Sequence, residues 1–450
     1  MSARGALATA ARLNRLHGGG QAREHARAMP IRTRRAPRAA PAPGASDSPA
    51  AGGMAAGATF AATGHLGLEL VSNFLPVVYP TLVAEAGFSF AQVGTVTLVA
   101  TLGMTLPQPL FGMLVRRFDA GRLVIAAVLW CGLFYGLVGL AGGYWPLLVM
   151  VALGGLGSAL FPPAGSVVAS AARSRRRGAA MSIFSVGGNA GAALSPLLMA
   201  AMLGWYGLPG TLATIPLACG AGLILLLLSR HGAVSAATRG PTIHRPRKRP
   251  AGGSASAGPR TAVLALGLIV LFAMSRAWYQ VSLTTSLPLW VAGHGGARVG
   301  IAQVLFVLAG SLPGGAVLGG VLSDRVGRWQ VVLAAALLLV PANAALLTVG
   351  PGGAPAALLL LTAAIGCLIG ATYPVAIIIA QEAWPRNIGL AGGMIMGLGW
   401  LPGGVGASAV GMMADNIGLA RALATQAIPL AVGVLAVAAY ALLASRGRHR

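Results

Sequence analysis

Almost all the charged side chains along this 450-residue chain fall in gaps between long apolar segments or in the two tails, and the acids number only 8. That pattern leaves few folds open. About 20 apolar residues are enough to cross the roughly 30 Å hydrocarbon layer of a bilayer as a helix. Twelve segments qualify, near 59–83, 92–114, 122–142, 146–171, 179–202, 209–229, 261–291, 299–322, 330–350, 355–381, 389–413 and 421–445. In lipid the backbone polar groups must be satisfied within each segment, which makes each one a helix. Hydrophobic residues form 56% of the chain and charged residues 9%, whereas a soluble domain carries about 25% charged residues. The expected fold is an all-α membrane protein with twelve transmembrane helices.

The net charge of +24 does not point to nucleic acid. The arginines flank apolar segments or sit in tails, with no basic aromatic surface of the kind nucleic acids need. Cys131, Cys219 and Cys367 lie far apart in apolar segments, without CxxC or Cys/His ligand spacing. They read as small packing residues, and neither a disulfide nor a metal is expected.

Residues 1–57 are rich in Arg, Ala and Pro and poor in bulky apolar residues, so they cannot bury a core and are expected to be disordered. The stretch superficially resembles a transit peptide. The preferred reading is a cytoplasmic tail, or an over-long start with Met29 or Met54 as the initiator. A basic linker at 230–260 separates a bundle at 58–229 from one at 261–445, and 446–450 form a short tail. Arginines concentrate in the gaps after segments 2 and 4, in the linker and at the C-terminus, whereas the opposite side has only Arg298 and Arg421. By the positive-inside rule, both termini are expected in the cytoplasm.

The two halves echo each other. Phe74-Leu75-Pro76 matches Ser286-Leu287-Pro288, Gly112 to Arg117 matches Gly320 to Arg325, and Leu160-Phe161-Pro162 matches Thr372-Tyr373-Pro374. Three echoes in order argue for duplication. Two parallel six-helix repeats about an axis normal to the membrane resemble the major facilitator superfamily. The stretch Gly320 to Arg328 is similar to that superfamily's loop signature, G-x-x-x-D-R-x-G-R, with Asp324, Arg325 and Arg328 in register. The resemblance implies a latch for one state of a rocking transporter, with Glu382 at the end of segment 10 as a further gate or latch residue. In the first half Arg116 stands where the Asp is expected, and Asp119 comes three residues late.

Several blocks resemble the fosmidomycin-resistance-type efflux transporters more closely. They are Gly64-His65 with Glu69 ahead of Leu75-Pro76-Val77-Val78-Tyr79-Pro80, Phe88 to Gly94, Gln108-Pro109, Phe184 to Asn189, and Ala380-Gln381-Glu382 with Pro385 and Ile388-Gly389. The chain departs from that family at Leu68-Glu69, where an Asn-Asp is usual, and at Pro162-Pro163-Ala164, where a His-Pro-Glu is frequent. The carboxylate is kept but lengthened, and part of the polar lining is missing.

Glu69 is the only acid inside an apolar segment. An ionisable group there is costly and marks a functional site by default. Glu69 lies about ten residues into its helix, or roughly 15 Å, and His65 one turn earlier shares its face. The pair is the candidate for proton coupling, against a purely structural reading. Arg276 is the only Arg or Lys within a segment. It cannot usefully lose its proton, so it is a candidate to hold an anionic substrate group or to pair with Glu69 across a cavity, against a snorkelling reading. Trp278, Tyr279 and Gln280 follow it, and aromatic rings beside a cation suit an amphipathic anion. Gln108, Asn189, Gln303 and Asn343 are uncharged polar residues within segments, each suited to a neighbouring helix or to a substrate. Gln108 and Asn189 are carried as substrate-binding candidates, and Asn189 leads because Gly187, Gly188 and Gly191 surround it.

The expected function is a secondary transporter that exports small organic molecules, drug-like and anionic, in exchange for protons. The alternatives are a proton-coupled uptake permease for a small organic anion and, outside that class, a receptor or scaffold on a transporter fold. An enzyme is not expected, since the chain has no Walker loop, HExxH or assembled Ser/His/Asp set. The expected partners are a small-molecule substrate, protons and the lipid bilayer, with no nucleic acid and no cofactor, and the chain is expected to act as a monomer in the inner (plasma) membrane.

Overall fold

The computed structural model describes residues 49–170, 177–230 and 259–446. Most of the expected N-terminal tail, most of the linker, the cluster Arg173, Arg175 and Arg176, and the last four residues lie outside them. Twelve spans are present: α1 Ala56–Ala86, α2 Phe90–Leu114, α3 Ala120–Leu140, α4 Tyr144–Ala169, α5 Ala180–Tyr206, α6 Leu208–Ser229, α7 Arg260–Gly293, α8 Arg298–Val326, α9 Arg328–Val349, α10 Pro355–Ala383, α11 Ile388–Ile417 and α12 Leu419–Ser445. The helix that begins α1 starts at Pro49, inside the stretch 1–57 read as a tail.

Three of the breaks in the spans lie beside prolines, although Pro196, Pro288, Pro313, Pro341 and Pro374 are carried inside continuous helices. Pro lacks an N–H and clashes with the carbonyl four residues back. The helix of α1 gives way at Asn73 and Phe74, just ahead of Pro76, and α2 gives way at Leu106 and Pro107. In α11 the interruption covers Gly397 to Trp400, with Pro402 opening the next stretch. Such irregular backbone is tolerated at membrane depth only where protein or a cavity surrounds it.

The core divides as the repeats do. One apolar cluster is built mainly from α1 to α6, around Phe60, Phe74, Val124, Val128 and Phe161. Two more belong to α7 to α12, one around Ile269, Val375 and Ile379 and the other around Leu283, Leu287 and Ile365. The outer faces are apolar too: Leu110, Leu223, Val317, Leu360 and Leu435 are all exposed, as lipid-facing positions must be. Exposed Trp145, Trp205 and Tyr206 lie at the ends of α4 and α5 that share one side, where amphipathic rings favour the membrane–water interface.

The bundles meet along α2 with α11 and α5 with α8. Small residues let these backbones approach, as membrane helix interfaces require. A Cβ on Gly94 would lie 2.6 Å from the Ala407 carbonyl oxygen. Among the described residues, the polar contacts that join the bundles lie toward one end. Asp415 near the end of α11 accepts from the backbone N–H groups of Phe90 and Ala91, each at 2.9 Å, at the start of α2. Arg298 pairs with Glu85 at 3.2 Å and donates to the Leu203 carbonyl at 2.7 Å. Deeper, the Thr97 hydroxyl bridges Tyr79 and Thr285 at 2.9 and 3.1 Å, joining α1, α2 and α7. This is the sealed end of the molecule.

Candidate functional site

His65 and Glu69 point from α1 toward α5. Gly188 of α5 is what makes room for the imidazole, because a Cβ there would overlap the ring. At Gly191 a Cβ would sit 2.9 Å from Glu69 Cβ. The His65 ring stacks on Phe184 with centroids 4.3 Å apart and tilts against Phe161 of α4 at 5.1 Å. Its Nδ1 lies 2.9 Å from the Phe184 carbonyl oxygen. A carbonyl can only accept, so Nδ1 carries a hydrogen. Nε2 lies 3.4 Å from Glu69 Oε1. The Asn73 amide, in the break of α1, donates to Glu69 Oε2. The pair therefore has one exchangeable proton position, between Nε2 and Oε1. When that proton is present, either the imidazole is charged beside a carboxylate or a neutral imidazole accepts from a carboxylic acid.

Arg276 sits in α7 with only 4% of its surface exposed. Nη1 donates to the Gln280 amide oxygen one turn on. Its Cζ lies 4.8 Å from the ring centre of Tyr373 in α10 and 5.2 Å from that of Trp400 in α11. Trp400 Nε1 donates to the Tyr373 hydroxyl at 3.3 Å, so the two rings form a linked aromatic cover. Nε and Nη2 are buried without a hydrogen-bond partner.

The remaining candidates scatter. Trp278 packs against Gly406 of α11. Tyr279 is fully buried and donates to Asn343 of α9 at 3.1 Å, so both are used for packing inside the second bundle. Gln108 donates to the Met104 carbonyl of its own span at 2.9 Å, and Gln303 is exposed. Asn189 lies one turn before Ala193, whose methyl would be 3.9 Å from a Cβ placed on Gly310 of α8, which puts it on the stripe between bundles. Glu69 and Arg276 are not brought into contact: each keeps its polar partners within its own bundle.

At the end opposite the seal, Gly327, with φ of 114°, turns the chain between α8 and α9. A residue with a side chain rarely adopts that φ. Arg328 forms an ion pair with Glu382, which ties the start of α9 to the end of α10. Asp324, Arg325, Arg328 and Glu382 line one cavity of about 400 Å³. The four residues expected as a latch are thus brought together within the second bundle. The first-half counterpart Asp119 caps α3, accepting from Arg122 N–H at 2.9 Å.

The sequence reading missed Asp415, Glu85 and Arg298, because the seal joins residues of opposite bundles. It also missed Tyr373 and Trp400. Tyr373 carried a usable signal, since it stands in the repeat echo of Phe161.

Two bundles of transmembrane helices meet at a seam, with the half-buried His65–Glu69 pair in the first helix and buried Arg276 in the seventh, an arrangement that fits a membrane transporter. The Major Facilitator Superfamily family model matches residues 58–407, and the chain belongs to that superfamily. It is 30% identical over 362 residues to the fosmidomycin resistance protein of Escherichia coli, covering 78% of this chain and 84% of that one. It is 29% identical over 377 residues to the uncharacterised MFS-type transporter YfnC of Bacillus subtilis, covering 83% and 90%. A bacterial homologue of the human lysosomal transporter Spinster, solved in an inward-facing and occupied conformation, superposes with a TM-score of 0.67 at 18% identity, covering 89% of this chain and 98% of that one. The protein is a multi-pass membrane transporter with efflux-type relatives, and transporters of this superfamily are not enzymes.

Proposed function

We propose that the protein is a proton-coupled antiporter that exports small organic anions from the cytoplasm. The observation that carries this reading is the His65–Glu69 pair, whose single exchangeable proton position is set by the Phe184 carbonyl on the far side of the imidazole. A pair of this kind binds one proton and gains one positive charge. The pair lies deep in α1, on the helix face that packs against α5, and α5 carries the bundle interface, so proton binding there can bias the rocking of one bundle against the other. Arg276 in the other bundle supplies a fixed positive charge for an anion.

The arginine asymmetry supports both termini and the linker in the cytoplasm. On that reading the end joined by Glu85, Arg298 and Asp415 faces outward, and the conformation is read as inward-facing. The relative named for fosmidomycin resistance supports efflux as the direction. The test is purified protein in liposomes with a trapped pH-sensitive dye. Adding an acidic substrate to one side is expected to drive protons to that side. Transport of the acid without any proton movement would refute the coupling, and proton movement in the same direction as the acid would favour the uptake permease.

A further inference from the structure

Arg276 has an open edge of a particular shape. A guanidinium presents its N–H groups in one plane, and the Nε–H and Nη2–H bonds point the same way, forming a side-on fork. In this protein Nη1 is engaged by Gln280, and Tyr373 and Trp400 lie within cation–π range of Cζ. The two atoms left without partners are Nε and Nη2, which are the two prongs of that fork. No carboxylate pairs with Arg276 among the described residues. A buried charge with unsatisfied N–H groups is expensive, and the sequence could have placed an apolar side chain here at no such cost.

We propose that this fork is a binding site for two adjacent oxygens of one acidic group, so the exported anion is a carboxylate or phosphonate held edge-on by Nε and Nη2. The inference rests on the exporter reading above and adds the geometry of the recognised group. The cavity beside Arg276, lined by Phe272, Ser275, Leu339 and Leu430, is about 10 Å³, enough for one water at most. A ligand therefore reaches the fork only when side chains around Arg276 move, and the aromatic cover is the part assigned to that movement. Trp400 is mounted for this movement: it closes the break of α11 that begins at Gly397, and it is linked to the other half of the cover by one hydrogen bond to Tyr373 and an edge-on ring contact at 6.0 Å. The face of an aromatic ring tolerates a cation but not a second anion. The cover thus protects the guanidinium when empty and withdraws when an oxyanion arrives.

The discriminating substitution is Arg276→Lys, which keeps the charge and removes the fork. If charge alone mattered, lysine would retain part of the activity. With a bidentate site it should not, because an ammonium is a point charge. The experiment measures binding of phenylphosphonate and benzoate, with benzyl alcohol and benzylamine as controls, to the full-length protein in detergent. The readouts are the shift of thermal unfolding and quenching of tryptophan fluorescence. Wild type is expected to bind both acids more than fivefold tighter than the alcohol or the amine. Arg276→Lys and Arg276→Gln should each weaken the acids by roughly tenfold or more, whereas Trp400→Phe, which keeps a ring over the cation, should still bind them. Acids binding no tighter than benzyl alcohol to wild type would overturn the proposal, and so would Arg276→Lys binding within fivefold of wild type. Should the Arg276 variants fail to fold, the wild-type comparison decides alone. Acid binding in a protein that moves no protons would sink the exchange reading and leave the fork standing. Proton-driven export of neutral compounds only would do the reverse.

Discussion

Arg276 lies on α7 within one residue of the position that the repeat echo pairs with His65 on α1: the two are 211 residues apart, and the echo of Phe74-Leu75-Pro76 in Ser286-Leu287-Pro288 has an offset of 212. Gln280 follows Arg276 as Glu69 follows His65, one turn on and bonded to it. An aromatic ring from the fourth helix of the same bundle lies against each, Phe161 against His65 and Tyr373 against Arg276. The first and seventh helices thus carry similar arrangements with different chemistry. One closes on itself as the His65–Glu69 pair. The other holds a permanent cation with an open edge. Because neither copy touches the other in this conformation, coupling would pass through the rocking of the bundles and not through direct competition of Arg276 for Glu69.

Gly188→Ala tests the packing that sets the imidazole. The added methyl would overlap the His65 ring, and overpacking of this kind costs about 1–3 kcal/mol. The variant should lower the unfolding temperature and lose transport. Gly204→Ala, where a methyl meets open space, should be neutral or slightly stabilising, since alanine is favoured over glycine in a helix by about 0.5–1 kcal/mol. Equal effects at both positions would mean that the His65 pocket has no special role.

Asp415→Ala removes the carboxylate that caps α2 from the opposite bundle. Loss of such a cap costs about 0.5–2 kcal/mol, so the sealed conformation should lose roughly fivefold or more of its population advantage at the middle of that range. Spin labels at exposed Ala86 and Ile417, one in each bundle, report the opening as a longer distance population. An unchanged distance distribution would show that the Asp415 contact does not hold the seal.

How much of this was legible beforehand follows from the physics of each feature. The spans were readable because lipid forces every segment to satisfy its own backbone, so hydropathy alone draws the helices. Glu69, His65 and Arg276 stood out because charge is costly in that solvent. Trp400 and Asp415 did not. A tryptophan in an apolar segment resembles packing, and its position over a cation depends on how α11 breaks and crosses α7. Asp415 caps a helix more than 320 positions earlier in the chain, which no local pattern records. Tyr279 shows the opposite failure: proximity in sequence to Arg276 suggested a shared site, but its direction on the helix carries it to Asn343.

Orientation has its own test. A single cysteine at Ser254, in the basic linker, placed in a variant lacking Cys131, Cys219 and Cys367, should resist an impermeant maleimide in intact cells and react after the membrane is opened. Labelling from outside would invert the topology and turn the sealed end toward the cytoplasm.

The central claim is that the Glu69 carboxyl carries the coupled proton, and Glu69→Gln tests it most directly, because the amide keeps shape and hydrogen bonding but cannot exchange a proton. The measurement is uphill accumulation of an acidic substrate in liposomes containing purified protein under an imposed pH gradient. Wild type is expected to accumulate the substrate, while Glu69→Gln, folded and able to equilibrate substrate down its gradient, is expected to show no accumulation. Uphill accumulation by Glu69→Gln at the wild-type level would contradict the account.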